Sequence, residues 1–158
     1  MLVVFAGEIA CGKTTLARRV AEALGVERIN TGKLLRKMHP GDYTRPEMQK
    51  LGRDTESQDR FWWLPRRDAV VDSIRKSSQV ATLRLRRPTG ILVYLHCSPE
   101  QLAKNYAARG DVLSESVARS DSDERRVKFA LAGVADVRLA FGEPFEIQLE
   151  KIQKGLGR

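Results

Sequence analysis

The sequence is poor in cysteine and has no long apolar run and no repeat, and each shortage narrows its class. Only Cys11 and Cys97 occur in 158 residues. Two cysteines in a chain of this size do not make a disulfide framework, so a reducing, cytoplasmic setting is expected. No apolar stretch approaches the length of a membrane span, and no membrane partner is expected. The apolar start, Leu2–Ala6, runs straight into a glycine-bearing loop and reads as a strand rather than a signal peptide. No repeat, low-complexity block or linker-like stretch divides the chain, and its length suits one domain with a real core.

What is present is ordinary in composition and biased in charge. Apolar residues make up 42% and charged residues 30%, as in soluble globular proteins. The net charge is +8. A solvated basic surface explains such a balance, and so does a site that holds several phosphates or a nucleic acid. Charge alone does not separate these readings.

The most informative stretch is Gly7-Glu8-Ile9-Ala10-Cys11-Gly12-Lys13-Thr14, which fits the phosphate-loop pattern G-x-x-x-x-G-K-[ST] without mismatch. Its context fits as well. The β-rich run Leu2–Ala6 precedes it. After Thr15, residues Leu16, Val20, Ala23 and Leu24 recur at helical spacing up to the stop at Gly25. In such a loop, glycines admit backbone conformations closed to other residues, and successive N–H groups converge on a phosphate at a helix N-terminus. Lys13 would reach the outer phosphates, and the Thr14 hydroxyl would ligate Mg²⁺.

Beyond the loop, strands and helices alternate, the signature of a parallel sheet with helices on its faces. Arg28–Asn30 reads as a short strand, and Thr31 as the cap of a helix ending at Met38 before His39-Pro40-Gly41-Asp42. Thr44 caps a second helix, with Pro46 in its first turn and Leu51-Gly52 near its end. Asp59–Pro65 reads as a short helix. Its Trp62 and Trp63 could stack on a base, though covering the core is the commoner fate of paired tryptophans, and at most one faces a ligand.

Ala69–Asp72 is a buried strand ending in a carboxylate at the sheet edge where parallel folds place ligands. A helix through Val80–Arg86 is expected, although Leu83–Arg86 alternates as a strand would. Ile91–His96 is the clearest central strand. Ser98, Pro99 and Gln101 then open a helix running to Arg109 and stopping at Gly110. Residues 111–120 are polar, Asp121 and Glu124 can open a helix through Ala132, Ala135–Phe141 is the last strand, and Pro144–Lys154 a terminal helix.

A phosphate loop alone serves GTPases, transport ATPases and kinases. A kinase adds Mg²⁺ help near the loop and cations on the acceptor and on the moving phosphoryl group. Asp72 can hold the metal's hydration shell or orient the acceptor oxygen. Arg36 and Arg75 can approach from the acceptor side, and Arg109 and Arg119 flank the short polar segment. Each arginine alone is more often a solvated surface residue; their joint placement carries the reading. A GTPase fits less well: no N-K-x-D motif is evident, and Asp72 is not followed by x-x-G.

Three stretches together, Gly7–Thr14, Thr31-Gly32-Lys33-Leu34-Leu35-Arg36 and Val71-Asp72-Ser73-Ile74-Arg75, resemble the adenylate-kinase-like nucleoside and nucleotide kinases. Leu92–Leu95, Ser98-Pro99-Glu100, Ala108-Arg109-Gly110 and Ala135-Asp136 are similar to the lid-bearing half of those enzymes and of dephospho-coenzyme A kinases. The resemblance spans nearly the whole chain, with Lys33 and Ser73 in place of the family's usual Asp and Gly.

It implies an α/β, three-layer P-loop NTPase fold: a five-stranded parallel sheet flanked by helices, in a single domain over residues 1–158. An acceptor-binding helical region would span about residues 31–66 and a short lid about residues 110–120. ATP would sit on Gly7, Glu8, Ile9, Ala10, Cys11, Gly12, Lys13, Thr14 and Thr15, and the acceptor phosphate on Thr31, Gly32, Arg36 and Arg75. Lys13, Asp72, Arg109 and Arg119 would act in catalysis, with Mg²⁺ held by Thr14 and Asp72.

The expected function is ATP-dependent phosphoryl transfer to a nucleoside or deoxynucleoside monophosphate. Dephospho-coenzyme A, another phosphorylated small molecule or a nucleic-acid end remain alternative acceptors, nucleic acid not being favoured. A nucleotide-binding regulatory module with little turnover is the alternative of another class.

Overall fold

In a computed structural model, described here for residues 1–108 and 129–157, the apolar runs become strands of one sheet and the segments between them become its covering helices. The order is β1 (Leu2–Gly7), α1 (Lys13–Leu24), β2 (Glu27–Asn30), α2 (Thr31–Met38), α3 (Arg45–Gln58), β3 (Ala69–Asp72), α4 (Ser77–Arg86), β4 (Ile91–His96), α5 (Pro99–Ala108), β5 (Val137–Ala140) and α6 (Phe145–Gly155). Residues 129–134 are also helical. The five strands are all parallel in the order β2-β3-β1-β4-β5, as the sequence led one to expect.

The pattern of β1 explains why both faces of the sheet are covered. A parallel strand in mid-sheet buries alternate residues on opposite sides, so it reads as a continuous apolar run. Val3 and Phe5 meet Leu16, Ala17, Val20 and Ala21 of α1 and Ile152 of α6. Leu2, Val4 and Ala6 meet the opposite layer, built from Trp63, Ile74, Val80, Leu83 and Leu131. The result is helix, sheet, helix.

Several local expectations shift. Thr31 does not cap α2: Asn30 does, its side chain accepting the Lys33 N–H at 2.9 Å. Thr31 instead donates its hydroxyl to the Ser73 carbonyl at 2.9 Å, tying the end of β2 to the end of β3. Helix α3 does start at a Thr44–Glu47 capping box, but it continues past Gly52 to Gln58. Gly52 lies against Leu35 of α2, and His39 reaches Thr55 at 3.0 Å, so α3 is held by packing well beyond its glycine.

Asp59–Pro65 is a succession of turns rather than a helix, because the Asp59 side chain accepts the Phe61 N–H at 2.8 Å and diverts the backbone. Trp63 is 1% exposed and Trp62 packs against the same cluster, so both tryptophans serve the core. The ambiguous Val80–Arg86 stretch is helical, within α4. The last strand is shorter than Ala135–Phe141, and α6 ends at Gly155. The expected lid over residues 110–120, with Arg109 and Arg119, lies outside the described residues, as does the start of the helix expected from Asp121.

Candidate phosphate-binding cleft

Parallel pairing brings the C-terminal ends of the strands to one edge. Asn30 stands beside Asp72, Phe5 beside Asp72, and Gly7 beside Leu95. A cleft of about 160 Å³ opens there, lined by Ile9, Ala10, Gly12, Lys13, Thr14, Asn30, Thr31, Gly32, Asp72, Ser73 and Arg75. It thus gathers loop residues with residues from the ends of β2 and β3.

The loop's glycines are required by its shape. A Cβ on Gly7, at φ +148°, would meet the Leu95 carbonyl oxygen at 2.5 Å. Gly12, at φ +87°, caps α1 with no side-chain bond to the helix N–H groups, and the Phe141 ring lies over it at 3.2 Å from where a Cβ would stand. The first turn of α1 therefore has no side-chain cap on its N–H groups at the positive end of the helix dipole. Thr14 and Thr15 are exposed in that turn.

Lys13 bends back over the loop. Its ammonium donates to the Glu8 carbonyl and lies 3.7 Å from Cys11 Sγ. The Glu8 carbonyl also accepts the Cys11 N–H at 3.3 Å, closing a tight turn. Burial lowers the Lys13 pKa; nearby Cys11 opposes the shift, the positive charge of Arg75 reinforces it and Asp72 opposes it. An incoming polyphosphate would relieve that burial cost by supplying the missing counter-charge. Cys11 is fully buried, and burial pushes its thiol above the ordinary range, with Lys13 pulling the other way.

Asp72, which also lines the cleft, is 3% exposed and tightly held. Its Oδ2 accepts from Arg28 Nη1 at 3.0 Å and Asn30 Nδ2 at 3.1 Å. Next to it, Ile74 N–H donates to the Phe5 carbonyl at 3.0 Å, which clips the Ser73–Arg75 segment to the strand that feeds the loop. Arg75 lines the cleft, its backbone N–H given to Gln79 Oε1 at 2.9 Å. The Arg36 guanidinium lies 3.8 Å from where a Gly32 Cβ would stand.

Of the residues expected from sequence, the cleft unites Ile9, Ala10, Gly12, Lys13, Thr14, Thr31, Gly32, Asp72 and Arg75. Gly7, Glu8 and Cys11 shape the loop without lining the cleft, and Arg36 is not among the lining residues but lies next to Gly32, which is. Arg109 and Arg119 lie outside the described residues. Three contributors went unread in the sequence. Arg28 and Asn30 sit two apart on β2, hence on one face, which is a signal that a partner for Asp72 was available. Asn105 of α5 donates to the Ala10 carbonyl at 2.8 Å, across 95 residues of chain, and no local spacing announces it.

The residues present suit Mg²⁺. Thr14 and Asp72 are hard oxygen donors that both line the cleft, and magnesium takes one or two protein oxygens while keeping waters and phosphate oxygens. Among the described residues no cluster of three or more His, Cys, Asp or Glu forms an all-protein metal cage, and no helix is long and apolar enough to cross a membrane.

A family model described as "AAA domain" matches residues 3–127. No curated protein matches the chain. Among solved structures, a shikimate kinase from Bacteroides thetaiotaomicron superposes with a TM-score of 0.71 at 13% identity, over 100% of this chain and 99% of that one. A shikimate kinase from Acinetobacter baumannii in complex with shikimate gives 0.70 at 20% identity, over 97% and 90%. A gluconokinase from Sinorhizobium meliloti 1021 gives 0.60 at 20% identity, over 99% and 91%. The chain therefore has the fold of the small P-loop kinases.

Proposed function

The chain belongs to the AAA domain family, and from that membership and the cleft we propose that it is an ATP-dependent phosphotransferase whose acceptor is a phosphorylated small molecule, a nucleoside or deoxynucleoside monophosphate first among them. One observation carries the choice of acceptor. Arg75 lines the same cleft as Lys13, and the Arg36 guanidinium lies next to Gly32, another lining residue. Several cations gathered in and beside one small cleft suit two phosphate groups that must be brought together against their own repulsion.

In this reading residues 1–158 are one kinase domain, with residues 31–66 on the acceptor side and residues 110–120 as a lid. The loop N–H groups and Lys13 hold the donor phosphates, with Thr15 beside them. An acceptor phosphate oxygen bonds to the γ-phosphorus as the bond to the β–γ bridging oxygen breaks, and ADP leaves. Thr31, Gly32, Arg36 and Arg75 hold the acceptor phosphate. Thr31 gives its hydroxyl proton to the Ser73 carbonyl in the free cleft, so holding the phosphate requires that hydroxyl to turn from Ser73 and donate to a phosphate oxygen. Arg109 and Arg119 are further cations for the transferred group. Thr14 and Asp72 would hold Mg²⁺, which supplies charge neutralisation on the donor phosphates.

Because acceptor phosphates are already ionised at neutral pH, Asp72 need not remove a proton and serves to orient. A second reading follows from Asp72 itself. It is the one carboxylate lining the cleft among the described residues, and a hydroxyl acceptor, as the names shikimate kinase and gluconokinase imply for those proteins, would call on it as general base.

The test is ADP release measured across ribo- and deoxynucleoside monophosphates, dephospho-coenzyme A, oligonucleotide ends, shikimate and gluconate, with Lys13→Ala as control. Turnover with a monophosphate above that control is expected. Turnover confined to hydroxyl acceptors would transfer the role of base to Asp72 and overturn the phosphate-acceptor reading. Tight ATP binding with no transfer to any acceptor would make the chain a nucleotide-binding module.

A further inference from the structure

The middle of the phosphate loop is held from outside the loop. Ala10 takes φ +61°, the only left-handed non-glycine residue among the described ones. An alanine there is disfavoured against its right-handed and extended alternatives because its Cβ crowds the following carbonyl oxygen. Something must hold it, and the contact that reaches it is the side chain of Asn105. Asn105 Nδ2 donates to the Ala10 carbonyl at 2.8 Å.

That amide is itself fixed. Its Oδ1 accepts from Gln101 Nε2 at 2.9 Å, one turn earlier on α5, so the amide nitrogen is left facing the loop. Gln101 in turn gives its backbone N–H to Ser98 Oγ at 3.2 Å, at the start of the helix. Asn105 Nδ2 also lies 3.9 Å from the Sγ of buried Cys97. The chain of contacts runs from the end of β4, through the first turns of α5, to the centre of the loop.

The geometry has a directional consequence. In a trans peptide the carbonyl and the following N–H point opposite ways. Pinning the Ala10 oxygen toward α5 therefore turns the Cys11 N–H the other way, toward the Glu8 carbonyl it meets at 3.3 Å. The same carbonyl receives Lys13. One side chain outside the motif thereby orients the peptide on which the turn and the lysine both depend.

We propose that Asn105 is a positioning residue of the donor site: by holding Ala10 left-handed it keeps the loop in the shape that receives phosphates. This rests on the reading that the loop holds the donor phosphates. It adds that a residue of α5 sets the fraction of loops competent to do so. Ligand affinity falls in proportion to that fraction.

The experiment is calorimetric titration of the full chain with inorganic triphosphate and Mg²⁺, which needs no acceptor and no turnover. Asn105→Ala is expected to weaken binding about tenfold, the worth of one such hydrogen bond. Asn105→Asp, which sets a carboxylate against the Ala10 oxygen, weakens it further. The discriminating variant is Ala10→Gly, because glycine enters the left-handed region without penalty. In the Ala10→Gly background, Asn105→Ala should then lose only about two- to threefold.

A merely structural role for Asn105 would lower the melting temperature equally in both backgrounds and leave the affinity of the folded protein alone. Should Asn105→Ala not fold, Gln101→Ala, which frees the amide to rotate, reads the same contact and is expected to weaken binding about threefold. Wild-type protein that binds no triphosphate would sink the donor-site reading. Wild-type binding with no loss in Asn105→Ala or Gln101→Ala, or a loss unchanged by Ala10→Gly, overturns the role of Asn105 alone.

Discussion

Replacing Arg28 by alanine tests how Asp72 is kept in place. Asp72 is 3% exposed, and its Oδ2 accepts from Arg28 at 3.0 Å and from Asn30 at 3.1 Å. Removing one partner of a fully buried ion pair costs about 3–5 kcal/mol, since a desolvated charge is left behind. The Arg28 side chain is 22% exposed, so water can take up part of its place, and Asn30 keeps its bond. The expected loss is therefore smaller, about 2–3 kcal/mol. For a chain of this size that lowers Tm by about 4–12 °C, readable by calorimetry.

The same substitution in an Asp72→Asn background should cost at most about 1 kcal/mol, because a neutral amide needs no counter-charge. Equal losses in the two backgrounds, within about 0.5 kcal/mol, would refute the electrostatic account and assign the effect to the packing of the Arg28 stem.

Other outcomes follow from individual contacts. Gly25→Ala puts a Cβ into open space at φ +66°, so it should cost only the backbone term, about 1–2 kcal/mol by urea unfolding, and leave ATP binding unchanged. Gly7→Ala, whose Cβ would meet the Leu95 oxygen at 2.5 Å, should cost more than Gly25→Ala in the same assay and also weaken nucleotide binding. Trp63→Ala empties the largest buried side chain and should cost about 3–5 kcal/mol.

The raised pKa of Cys11 gives a signed pH effect. The unfolded thiol ionises at its ordinary value while the folded one still holds its proton, so this contribution to stability is full below the ordinary thiol pKa and is lost as pH rises through the folded value. Iodoacetamide labelling of native protein, followed by mass spectrometry, should correspondingly be slow at pH 7 and still accelerating above pH 9. A rate that levels off below pH 8 would contradict it.

The phosphate loop of the cleft was legible in the sequence because it is contiguous: strand, loop and helix occupy neighbouring positions, and the glycines state their backbone needs locally. Asp72 was legible because a strand of apolar residues ended in a carboxylate. What failed to show was tertiary. Asn30 and Thr31 are both good helix caps, and the choice between them fell to Asp72 and Ser73, which claim the Asn30 amide and the Thr31 hydroxyl from the neighbouring strand. Asp59–Pro65 was expected to be a short helix, yet a single bond from the Phe61 N–H to Asp59 turned the chain. Arg28 and Asn105 act on partners 44 and 95 residues away, a distance over which spacing carries no message.

The sheet order has a consequence for biosynthesis. β1 is the central strand, yet the two strands that flank it come much later: β3 begins at Ala69 and β4 at Ile91. At about 5–20 residues per second, a ribosome needs on the order of 10 s to deliver both after β1 has emerged. Through that interval Leu2–Ala6 is an unpaired apolar ribbon, the kind of segment that recruits chaperones or neighbouring chains, and the phosphate loop behind it has no sheet to stand on. Nucleotide therefore cannot template the early steps of folding; it can only stabilise a loop that the second half of the chain has already put in place.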